Sequence, residues 1–399
     1  MPADGGRGLG IARADRVSVN RNLRLSGIEW IGFDMDYTLA IYNQEQMDAI
    51  SIDLTAERMV RRGYPAYLKH LSYDARFPIR GLLVDKKLGH VLKMDRHKGV
   101  LKGYHGLRLL AQEELDELYH HKRIRPHTPR YHWIDTLFAL SEVTAYSAIV
   151  DVLERRGEHV DYASVFTDVR TSIDEAHRDG SVYAHVTADF PRYIERDPDL
   201  ARTLHKVRSA GKKLFLLTNS PTSYTDQVMK YLLGGALAEY PSWQHYFDIV
   251  ICAAQKPNWF MEGKPFLERE GDGTRPAKGW LERGRIYENG NLADFERLVN
   301  VRGSSVLYVG DHIYGDILRS KKETSWRTAM IIQELDAEIA ALETCSAELS
   351  RIRDLYDQRE KIEDELRFFQ TQFKELGKAS NGDGVDRVAD KARVKRAID

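Results

Sequence analysis

Cysteine is nearly absent from this chain: its 399 residues include only Cys252 and Cys345. Two cysteines cannot build a disulfide framework, which excludes the small disulfide-stapled class and indicates a reducing compartment. Long apolar runs are missing as well, because no stretch approaches the length of a membrane span. Residues 1–17 are rich in Gly, Arg and Asp and lack the apolar segment of a signal peptide. We therefore expect a soluble cytoplasmic protein with no membrane partner.

An excess of charge of either sign is also lacking. The chain has 59 basic and 60 acidic residues, which gives a formal net charge of -1. This balance argues against a protein that binds a nucleic acid polymer through bulk charge. What is present is a hydrophobic content of 42%, which at this length supports a sizeable core divided among two or three domains.

Four short apolar runs have the length of buried strands, and each is followed by polar residues. The four runs are Ile28–Phe33, Lys213–Leu217, Phe247–Cys252 and Ser305–Val309. Helical patterns separate the later runs, for example Pro198–Ala210 and Thr222–Leu233. Strands that alternate with helices predict an α/β fold with a doubly wound parallel sheet.

The segment between the first two runs is far too long for a simple crossover, so we expect an inserted domain there. Within it, Arg80–Lys102 alternates in polarity as a hairpin does. Three stretches have apolar residues at helical spacing, namely Leu107–His121, Trp133–Arg156 and Tyr162–Asp179. We place a large, mainly helical cap at residues 42–184, inserted into a core formed by residues 18–41 and 185–335.

The last part of the chain has a different character. Leu335–Leu376 is charged and carries a heptad-like apolar stripe, which predicts a helical extension over residues 336–378. A docked amphipathic helix or a helical pair that binds a partner would explain the stripe, and the stripe favours a homo-oligomer. The Gly-rich segment 271–291 indicates an exposed hairpin or flap. The polar tails, residues 1–17 and 379–399, have the composition of disordered segments.

The most informative motif is Asp34-Met35-Asp36, which directly follows the first apolar run. Alone, its two acids could merely cap a strand end or a helix. Thr218-Asn219, Lys256 and Asp311 follow the later runs, and parallel strands bring such ends to one edge of the sheet. Phosphoryl transfer through an aspartyl-phosphate needs a carboxylate nucleophile, a neighbouring acid/base, hydrogen-bond donors, a fixed cation and Mg²⁺. These residues supply the protein's share of that set.

This order of motifs resembles the haloacid dehalogenase (HAD) superfamily of phosphatases. The resemblance implies a HAD-like core in which Asp34 is the nucleophile and Asp36 is the general acid/base. Asp316 would orient metal-bound waters or Lys256. The residues that it implies as phosphate-binding are Thr218, Asn219 and Lys256. The groups that it implies as Mg²⁺ ligands are the Asp34 carboxylate, the Asp36 backbone carbonyl and the Asp311 carboxylate.

A closer resemblance, over roughly residues 21–335, is to the IMP/GMP-preferring branch of the cytosolic purine 5′-nucleotidase family. The segments that carry it are Asp34–Leu39, Thr218–Ser220, Gly310–Ile317 and, in the cap, Phe166–His177. The base contacts that it implies are Arg170, Asp174, His177 and Phe138. Arg170 and Asp174 lie four apart on one helix face, where a donor and an acceptor suit the O6 and N1–H edge of hypoxanthine or guanine.

Simpler interpretations compete with these assignments. Arg170 and Asp174 also fit a surface ion pair, and Phe138 fits the ordinary core of a helix. Two positions depart from the family pattern, because Arg178 replaces an aromatic residue and Tyr183 replaces a lysine. No Cys pair or His-Glu-x-x-His pattern that would indicate zinc accompanies the nearby histidines, which are His120, His121, His127 and His132.

The leading hypothesis is a Mg²⁺-dependent 5′-nucleotidase that hydrolyses purine nucleoside 5′-monophosphates through an aspartyl-phosphate. A nucleoside acceptor that competes with water would add phosphotransferase activity. One alternative is a HAD phosphatase for a sugar phosphate or another small phosphate ester. A second alternative is a weakly active HAD-like interaction protein that works through its C-terminal helices.

Overall fold

The computed structural model describes residues 16–19, 22–74, 78–95, 98–120, 124–301, 303–378 and 384–398. The chain divides into two compact units, of which one comprises residues 22–332 and the other contains the helices after residue 332. The larger unit holds three sheets, of eight, five and two strands, and all of the candidate site residues. Among the described residues, none of the helices combines the length and the hydropathy that a membrane span needs.

The main sheet of the larger unit has eight strands. Their spatial order is Gly273–Pro276, Phe266–Glu270, Ile286–Asn289, Ile249–Cys252, Lys213–Leu217, Trp30–Phe33, Val306–Gly310 and Arg327–Met330. Neighbouring strands from Ile286–Asn289 onward are parallel, whereas the first two strands are antiparallel additions at one edge. The four predicted strands are therefore present and lie side by side at the centre.

Both faces of this sheet are buried, which is why its strands read as continuous apolar runs. Along the strand after Lys213, Leu214 and Leu216 enter one hydrophobic cluster, while Phe215 and Leu217 enter another on the opposite face. Gly32 makes this packing feasible, because a Cβ there would lie 2.1 Å from the Phe215 ring. Four helices in the core accompany the strands: Leu200–Ser209, Thr222–Leu233, Leu292–Val299 and Arg319–Glu323. The α/β fold with a doubly wound parallel sheet is confirmed.

The inserted segment enters and leaves the core through a pair of short antiparallel strands, Ile41–Tyr42 and Ile194–Glu195. Its longest helices are Gln44–Arg61, Phe138–Arg155, Tyr162–Arg178 and Ser181–Ala188. They bury one continuous apolar face that includes Val143, Ile149 and Val169. The helices predicted at Trp133–Arg156 and Tyr162–Asp179 are thus present, the first beginning five residues later than expected.

The insertion also contains a five-stranded antiparallel sheet that was predicted only in part. Its order is Arg108–Leu109, Val100–His105, His90–Met94, Leu82–Asp85 and Tyr131–Trp133. Within this sheet, Leu82–Asp85 and His90–Met94 form the predicted hairpin. The helix predicted at Leu107–His121 is wrong in extent, because the structure has only a short helix, Gln112–Leu115, followed by a wide helical turn, Asp116–His120.

The exposed hairpin predicted around the Gly-rich segment 271–291 is present, because Gly273–Pro276 pairs antiparallel with Phe266–Glu270 at the edge of the main sheet, and most residues from 271 to 285 are exposed. One other expectation needs correction. The C-terminal tail is not wholly irregular, since Gly384–Ile398 is a helix. Residues 379–383 and 399, and residues 1–15 of the N-terminal tail, lie outside the described residues.

The smaller unit is helical, as the heptad-like stripe predicts. Its helices are Leu335–Thr344, Ser346–Lys378 and Gly384–Ile398. The last two pack together, with the Lys391 ammonium 5.2 Å from the centre of the Phe373 ring. Along the long helix, large apolar side chains remain exposed at Ile352, Leu355, Ile362 and Phe368.

Candidate active site

Four strand ends deliver the candidate catalytic groups to one edge of the main sheet. Asp34 directly follows Trp30–Phe33, Thr218 follows Lys213–Leu217, and Asp311 follows Val306–Gly310. Lys256 lies in the loop after Ile249–Cys252. Because these strands are adjacent and parallel, their carboxyl ends meet, as open α/β sheets require of a ligand site. Residues far apart in the sequence therefore form one cluster.

Lys256 lies at the centre of the cluster and is buried. Its Nζ atom lies 3.0 Å from Asp34 Oδ1 and 2.7 Å from Asp316 Oδ1. Nζ also donates to the Tyr308 hydroxyl at 2.9 Å. Burial alone lowers the pKa of Lys256, but the charges of Asp316 and Asp34 outweigh it and raise the pKa above its usual value. This environment therefore favours the charged ammonium, which lies between two carboxylates.

Asp34 is 7% exposed and packs among other acids. Burial raises the pKa of Asp34 well above its usual value, the Lys256 charge opposes this, and the charges of Asp316, Asp36 and Asp311 add to it. The Asp34 carboxylate accepts a hydrogen bond from the backbone N–H of Met35 at 2.7 Å. A carboxylate that is desolvated yet oriented has the environment of a nucleophile.

The side chain of Asp36 is held by a different set of residues. Its Oδ1 accepts from the Tyr42 hydroxyl at 2.7 Å, and its Oδ2 accepts from the Ser220 hydroxyl at 2.6 Å. Thr218 adds a weaker contact at 3.5 Å. Burial raises the pKa of Asp36, although the hydrogen bonds from Ser220 and Tyr42 oppose the rise. The two acids thus differ in environment, which suits their predicted roles as nucleophile and general acid/base.

A strained turn follows Asp36. Tyr37 is buried and has a φ of 54°, in the left-handed region that a bulky residue rarely adopts. Its ring packs edge-on against Phe138, with 4.8 Å between ring centres. This contact joins the loop that carries Asp34 and Asp36 directly to the inserted segment, because Phe138 begins the helix Phe138–Arg155.

Asn219 has a structural contact that the sequence did not anticipate. Its Oδ1 accepts from the backbone N–H of Lys256 at 2.6 Å, and its Nδ2 donates to the carbonyl of Lys256 at 2.9 Å. The Asn219 amide therefore fixes the loop that carries Lys256. The Thr218 hydroxyl accepts from the backbone N–H of Ser220 at 3.1 Å. That Thr218 and Asn219 also bind phosphate stays a prediction.

The acidic cluster fits a hard divalent cation. Carboxylate oxygens of Asp34, Asp311 and Asp316 all lie within 4.8 Å of one another, and the three residues are buried. Burial and then the Asp316 charge raise the pKa of Asp311 to about 7. Buried carboxylates with a single ammonium among them lack compensating charge, and oxygen ligands are those that Mg²⁺ prefers. Within the described residues, no other group of acids, histidines and cysteines has the spacing of a metal site.

Asp316 differs from Asp34 and Asp311 in its hydrogen-bond and ion-pair partners. Its Oδ1 contacts Lys256 and accepts from Tyr308 at 3.3 Å, and its Oδ2 accepts from the backbone N–H of His312 at 3.2 Å. Both oxygens therefore already have partners. This geometry suits the predicted role of Asp316 in orienting Lys256, and it leaves Asp34 and Asp311 as the better ligands for a cation.

A cavity of about 1080 Å³ opens beside Asp36. Asp36, Asn219 and Ser220 line it on the side of the core. The four predicted base-contacting residues all line it on the side of the insertion: Phe138, Arg170, Asp174 and His177. Phe138 lies edge-on to His177, with 5.7 Å between ring centres, and is 38% exposed. The structure thus brings the predicted catalytic and base-contacting residues to one cavity.

Several lining residues were not predicted as part of the site. His132 lies 3.1 Å from Arg170 through its Nδ1 atom, and Glu142 lines the wall one helical turn after Phe138. Outside the list of predicted residues, Tyr42 and Ser220 donate to Asp36, and Tyr308 accepts from Lys256. For Glu142 a signal existed, because the i,i+4 spacing from Phe138 places both on one helix face. For Tyr42 and Tyr308, only the folded structure reveals the contacts.

The two positions that depart from the family pattern, Arg178 and Tyr183, also line the cavity. Tyr183 stacks on Tyr224, with 4.3 Å between ring centres. Of the clustered histidines, His127 and His132 line the cavity, whereas His121 lies outside the described residues. Arg178 adds a second positive charge to the cavity lining that contains Arg170, and this charge bears on which phosphate esters the cavity can bind.

Comparisons with known proteins find related sequences over most of the chain. The model of the 5′ nucleotidase family matches residues 17–398. A 5′-nucleotidase domain-containing protein of Dictyostelium discoideum is 32% identical over 90% of this chain and 62% of its own length. The human 5′-nucleotidase domain-containing protein 2 is 34% identical over 82% of this chain and 65% of its own length. The chain thus spans less than two thirds of the length of these relatives.

Among solved structures, a HAD-hydrolase from Bacillus subtilis aligns with a TM-score of 0.28 and 14% identity. The alignment covers 76% of this chain and 86% of that one. That protein was solved with magnesium bound.

Proposed function

Because this chain belongs to the 5′-nucleotidase family, we propose that it is a Mg²⁺-dependent phosphatase that hydrolyses purine nucleoside 5′-monophosphates of the IMP/GMP type. One observation carries the proposal: the cavity that has Asp36 at one side has Arg170, Asp174 and Phe138 at the other. Chemistry for a phosphate ester and groups for a purine therefore share a single space.

In the proposed reaction, the Asp34 carboxylate attacks phosphorus in line and forms an aspartyl-phosphate. Asp36, whose pKa is raised by burial, donates its proton to the departing ribose 5′-oxygen. Lys256 is fixed beside Asp34 and stabilises the negative charge of the transferred group. Asp34 and Asp311 would hold Mg²⁺, which supplies further charge neutralisation when bound.

In the second half of the reaction, Asp36 has become a base and takes a proton from water. That water attacks phosphorus, breaks the bond to Asp34 and releases inorganic phosphate. A nucleoside hydroxyl that reaches Asp36 in place of water would receive the phosphoryl group instead. We therefore include nucleoside phosphotransferase activity in the proposal. The hydrogen bonds from Tyr42 and Ser220 keep Asp36 in one orientation for both steps.

Base recognition would depend on the helix Tyr162–Arg178. Arg170 offers only donors and Asp174 only acceptors when ionised, which matches the carbonyl and N–H edge of an oxopurine. Phe138 presents a partly exposed ring on which a base can stack. Adenine reverses the donor and acceptor at this edge, so adenosine monophosphate should be a poor substrate.

The decisive experiment measures phosphate release, with Mg²⁺ present and chelated, from IMP, GMP, AMP, pyrimidine monophosphates and sugar phosphates. We expect kcat/KM to be highest for IMP and GMP and to fall to background on chelation. Asp174→Ala should reduce purine turnover and spare sugar phosphates, because the substitution affects only the base. Full activity of Asp34→Asn would contradict the mechanism.

A second candidate function keeps the chemistry and changes the substrate to a sugar phosphate or another small phosphate ester. The observation that favours it is the presence of Arg178 and Tyr183 in the cavity wall, where they alter its charge and shape. Equal turnover of nucleotides and simple esters, unaffected by Asp174→Ala, would support this function over the first.

We also propose a cytoplasmic location and a homo-oligomer. Both cysteines are free, with Cys252 buried and Cys345 exposed, which suits a reducing compartment. The exposed apolar side chains of the long helix Ser346–Lys378 offer a surface for a second copy. Sedimentation equilibrium of the full chain would test the oligomer, and a purely monomeric protein would contradict it.

A further inference from the structure

Arg80 belongs to the inserted segment and contacts the core at the edge where the candidate catalytic residues meet. Its Nη1 atom donates to the backbone carbonyl of Asp311 at 3.2 Å, although the two residues are 231 positions apart in the sequence. The side chain is half-buried at this contact. The short strands that link the insertion to the core, Ile41–Tyr42 and Ile194–Glu195, form a separate connection. The proposed reaction does not explain why an arginine of the insertion lies here.

The backbone around Arg80 is fixed by the five-stranded sheet of the insertion. Arg80 lies just before the strand Leu82–Asp85. Gly81 has a φ of 90°, and its N–H donates to the carbonyl of Ile134 at 2.7 Å. The N–H of Ile134 donates in turn to the carbonyl of Leu82 at 2.9 Å. The guanidinium therefore extends from a fixed backbone, and its planar set of donors gives the contact a direction.

The carbonyl that Arg80 contacts belongs to the peptide group between Asp311 and His312. On the opposite side of this planar group, the N–H of His312 donates to Asp316 Oδ2 at 3.2 Å. A charged donor on the carbonyl polarises the peptide group, which strengthens the hydrogen bond that its N–H gives. Arg80 and Asp316 therefore orient one peptide group from its two sides.

Asp316 connects this peptide group to the ammonium at the centre of the site. Its Oδ1 atom lies 2.7 Å from Lys256 Nζ, and Nζ lies 3.0 Å from Asp34 Oδ1. All three of these residues are buried, so water cannot easily replace a lost partner. A continuous series of contacts thus extends from Arg80 in the insertion to the proposed nucleophile in the core.

We propose that Arg80 is a positioning residue that the insertion contributes to phosphoryl transfer. It orients the peptide group before His312, and this group in turn holds Asp316 beside Lys256. The inference rests on the phosphoryl-transfer chemistry of the proposed function and is independent of the base. Among the described residues that line the substrate cavity, Arg80 does not occur, so its loss should affect kcat more than KM.

The test measures kcat and KM for IMP and for p-nitrophenyl phosphate, which has no base, at saturating Mg²⁺. Loss of a residue that orients the groups of a site commonly costs about ten- to hundredfold, so Arg80→Met should lower kcat by this factor for both substrates. KM should change by less than about threefold. Arg80→Lys keeps a charged donor without the planar geometry, so it should recover part of the loss.

Arg108→Met is the matched control, because it removes an exposed arginine from an edge strand of the same sheet. It should have the kcat and KM of the wild type. A second measurement uses Asp316→Ala, in which the series of contacts is already broken. In that background Arg80→Met should lower kcat by less than about threefold, because the two residues act through one another. Thermal unfolding of each preparation checks that the variants are folded.

The outcomes separate the two proposals. If the wild type hydrolyses neither substrate, the proposed function is overturned and this inference with it. If the wild type is active and folded Arg80→Met keeps its kcat, the inference alone is overturned. A higher KM at unchanged kcat would show that Arg80 only docks the insertion on the core, which also overturns it. An equal loss of kcat from Arg80→Met with and without Asp316→Ala overturns it as well.

Discussion

At the residue scale, the charge balance around Lys256 governs both stability and chemistry. One ammonium lies among the buried carboxylates of Asp34, Asp311 and Asp316. Burial disfavours each of these charges, which is why the pKa values of Asp34 and Asp311 are raised. Active sites commonly retain such unfavourable arrangements because the chemistry needs them. Substitutions here should therefore separate activity from stability.

Asp34→Asn should abolish turnover without destabilising the fold. The amide is not a nucleophile, so we expect phosphate release to fall by about 10³-fold or more. Asn also removes one desolvated charge, and Lys256 keeps its contact with Asp316, so the melting temperature should be equal or higher. Phosphate-release assays and thermal unfolding of the same preparations check both statements. A folded variant that keeps a tenth of wild-type activity would exclude Asp34 as the nucleophile.

Lys256→Met should have the opposite effect on stability. It leaves Asp34 and Asp316 buried beside each other without a cation, which costs about 3–5 kcal/mol of unfolding free energy. Urea unfolding in the absence of divalent ions measures this loss. Lys264→Met, which replaces an exposed lysine nearby, should change the unfolding free energy by less than about 0.5 kcal/mol. Equal effects of the two substitutions would show that the ion pairs contribute little.

The clustering of the candidate catalytic residues was predictable because each follows an apolar run. Asp34 and Asp311 mark strand ends in the sequence, and adjacent parallel strands must bring such ends together. Their hydrogen-bond partners were not predictable by the same reasoning. Ser220 reaches Asp36 across 184 residues, and Tyr308 reaches Lys256 across 52. No local pattern encodes such pairings, because they arise only once the sheet has formed.

At the scale of the secondary-structure element, the helix Gln44–Arg61 contains a buried acid with a clear consequence for pH dependence. Asp48 is 1% exposed and accepts a hydrogen bond from Gln44 at 2.8 Å. Burial raises the pKa of Asp48 to about 7, although the Gln44 contact opposes the rise. The folded protein therefore holds this proton up to about pH 7, whereas the unfolded chain releases it near pH 4.

Between pH 4 and pH 7 the folded state binds more protons at Asp48 than the unfolded state does, so stability falls as the pH rises. From pH 5 to pH 8 this contribution is about 2 to 3 kcal/mol. Asp48→Asn keeps the acceptor for Gln44 but cannot ionise, so its unfolding free energy should not fall with pH in this way. The difference in unfolding free energy between Asp48→Asn and the wild type should therefore be about 2 to 3 kcal/mol more favourable to the variant at pH 8 than at pH 5. Urea unfolding at both pH values measures the difference.

Glu45→Gln is the matched control, since Glu45 is an exposed acid of the same helix. It should show the same pH dependence as the wild type. If Asp48→Asn also follows the wild-type pH dependence, then Asp48 is ionised in the folded protein near neutral pH, and burial does not raise its pKa.

Element prediction succeeded where periodicity was strong and failed where strands were short. The helices Phe138–Arg155 and Tyr162–Arg178 each bury a long apolar face, and their pattern is visible in the sequence. The strands Arg108–Leu109 and Tyr131–Trp133 are too short to show alternation, so the five-stranded sheet was seen only as a hairpin. Gly384–Ile398 is a helix despite its polar composition, because it packs against the long helix Ser346–Lys378.

At the scale of the whole molecule, the candidate site belongs entirely to one of the two compact units. All of the strand ends, the cavity-lining residues and Arg80 lie between residues 22 and 332. The C-terminal helical extension was predictable from its heptad-like stripe. Its function was not, because exposed Ile352, Leu355 and Ile362 fit self-association and fit binding to another protein equally well.

This division allows a test of whether the protein is primarily an enzyme or an interaction protein that works through its C-terminal helices. A chain that ends at Ile332 retains both hydrophobic clusters of the main sheet and every proposed catalytic residue. We therefore expect it to keep kcat and KM for its best nucleotide within about threefold of the full chain, a barrier change below about 1 kcal/mol. Sedimentation equilibrium on both chains would show whether the helices mediate assembly. A truncated chain that folds, as judged by circular dichroism, and yet has lost turnover would mean that the extension contributes to catalysis, whereas unchanged turnover with loss of the oligomer would confine the extension to self-association.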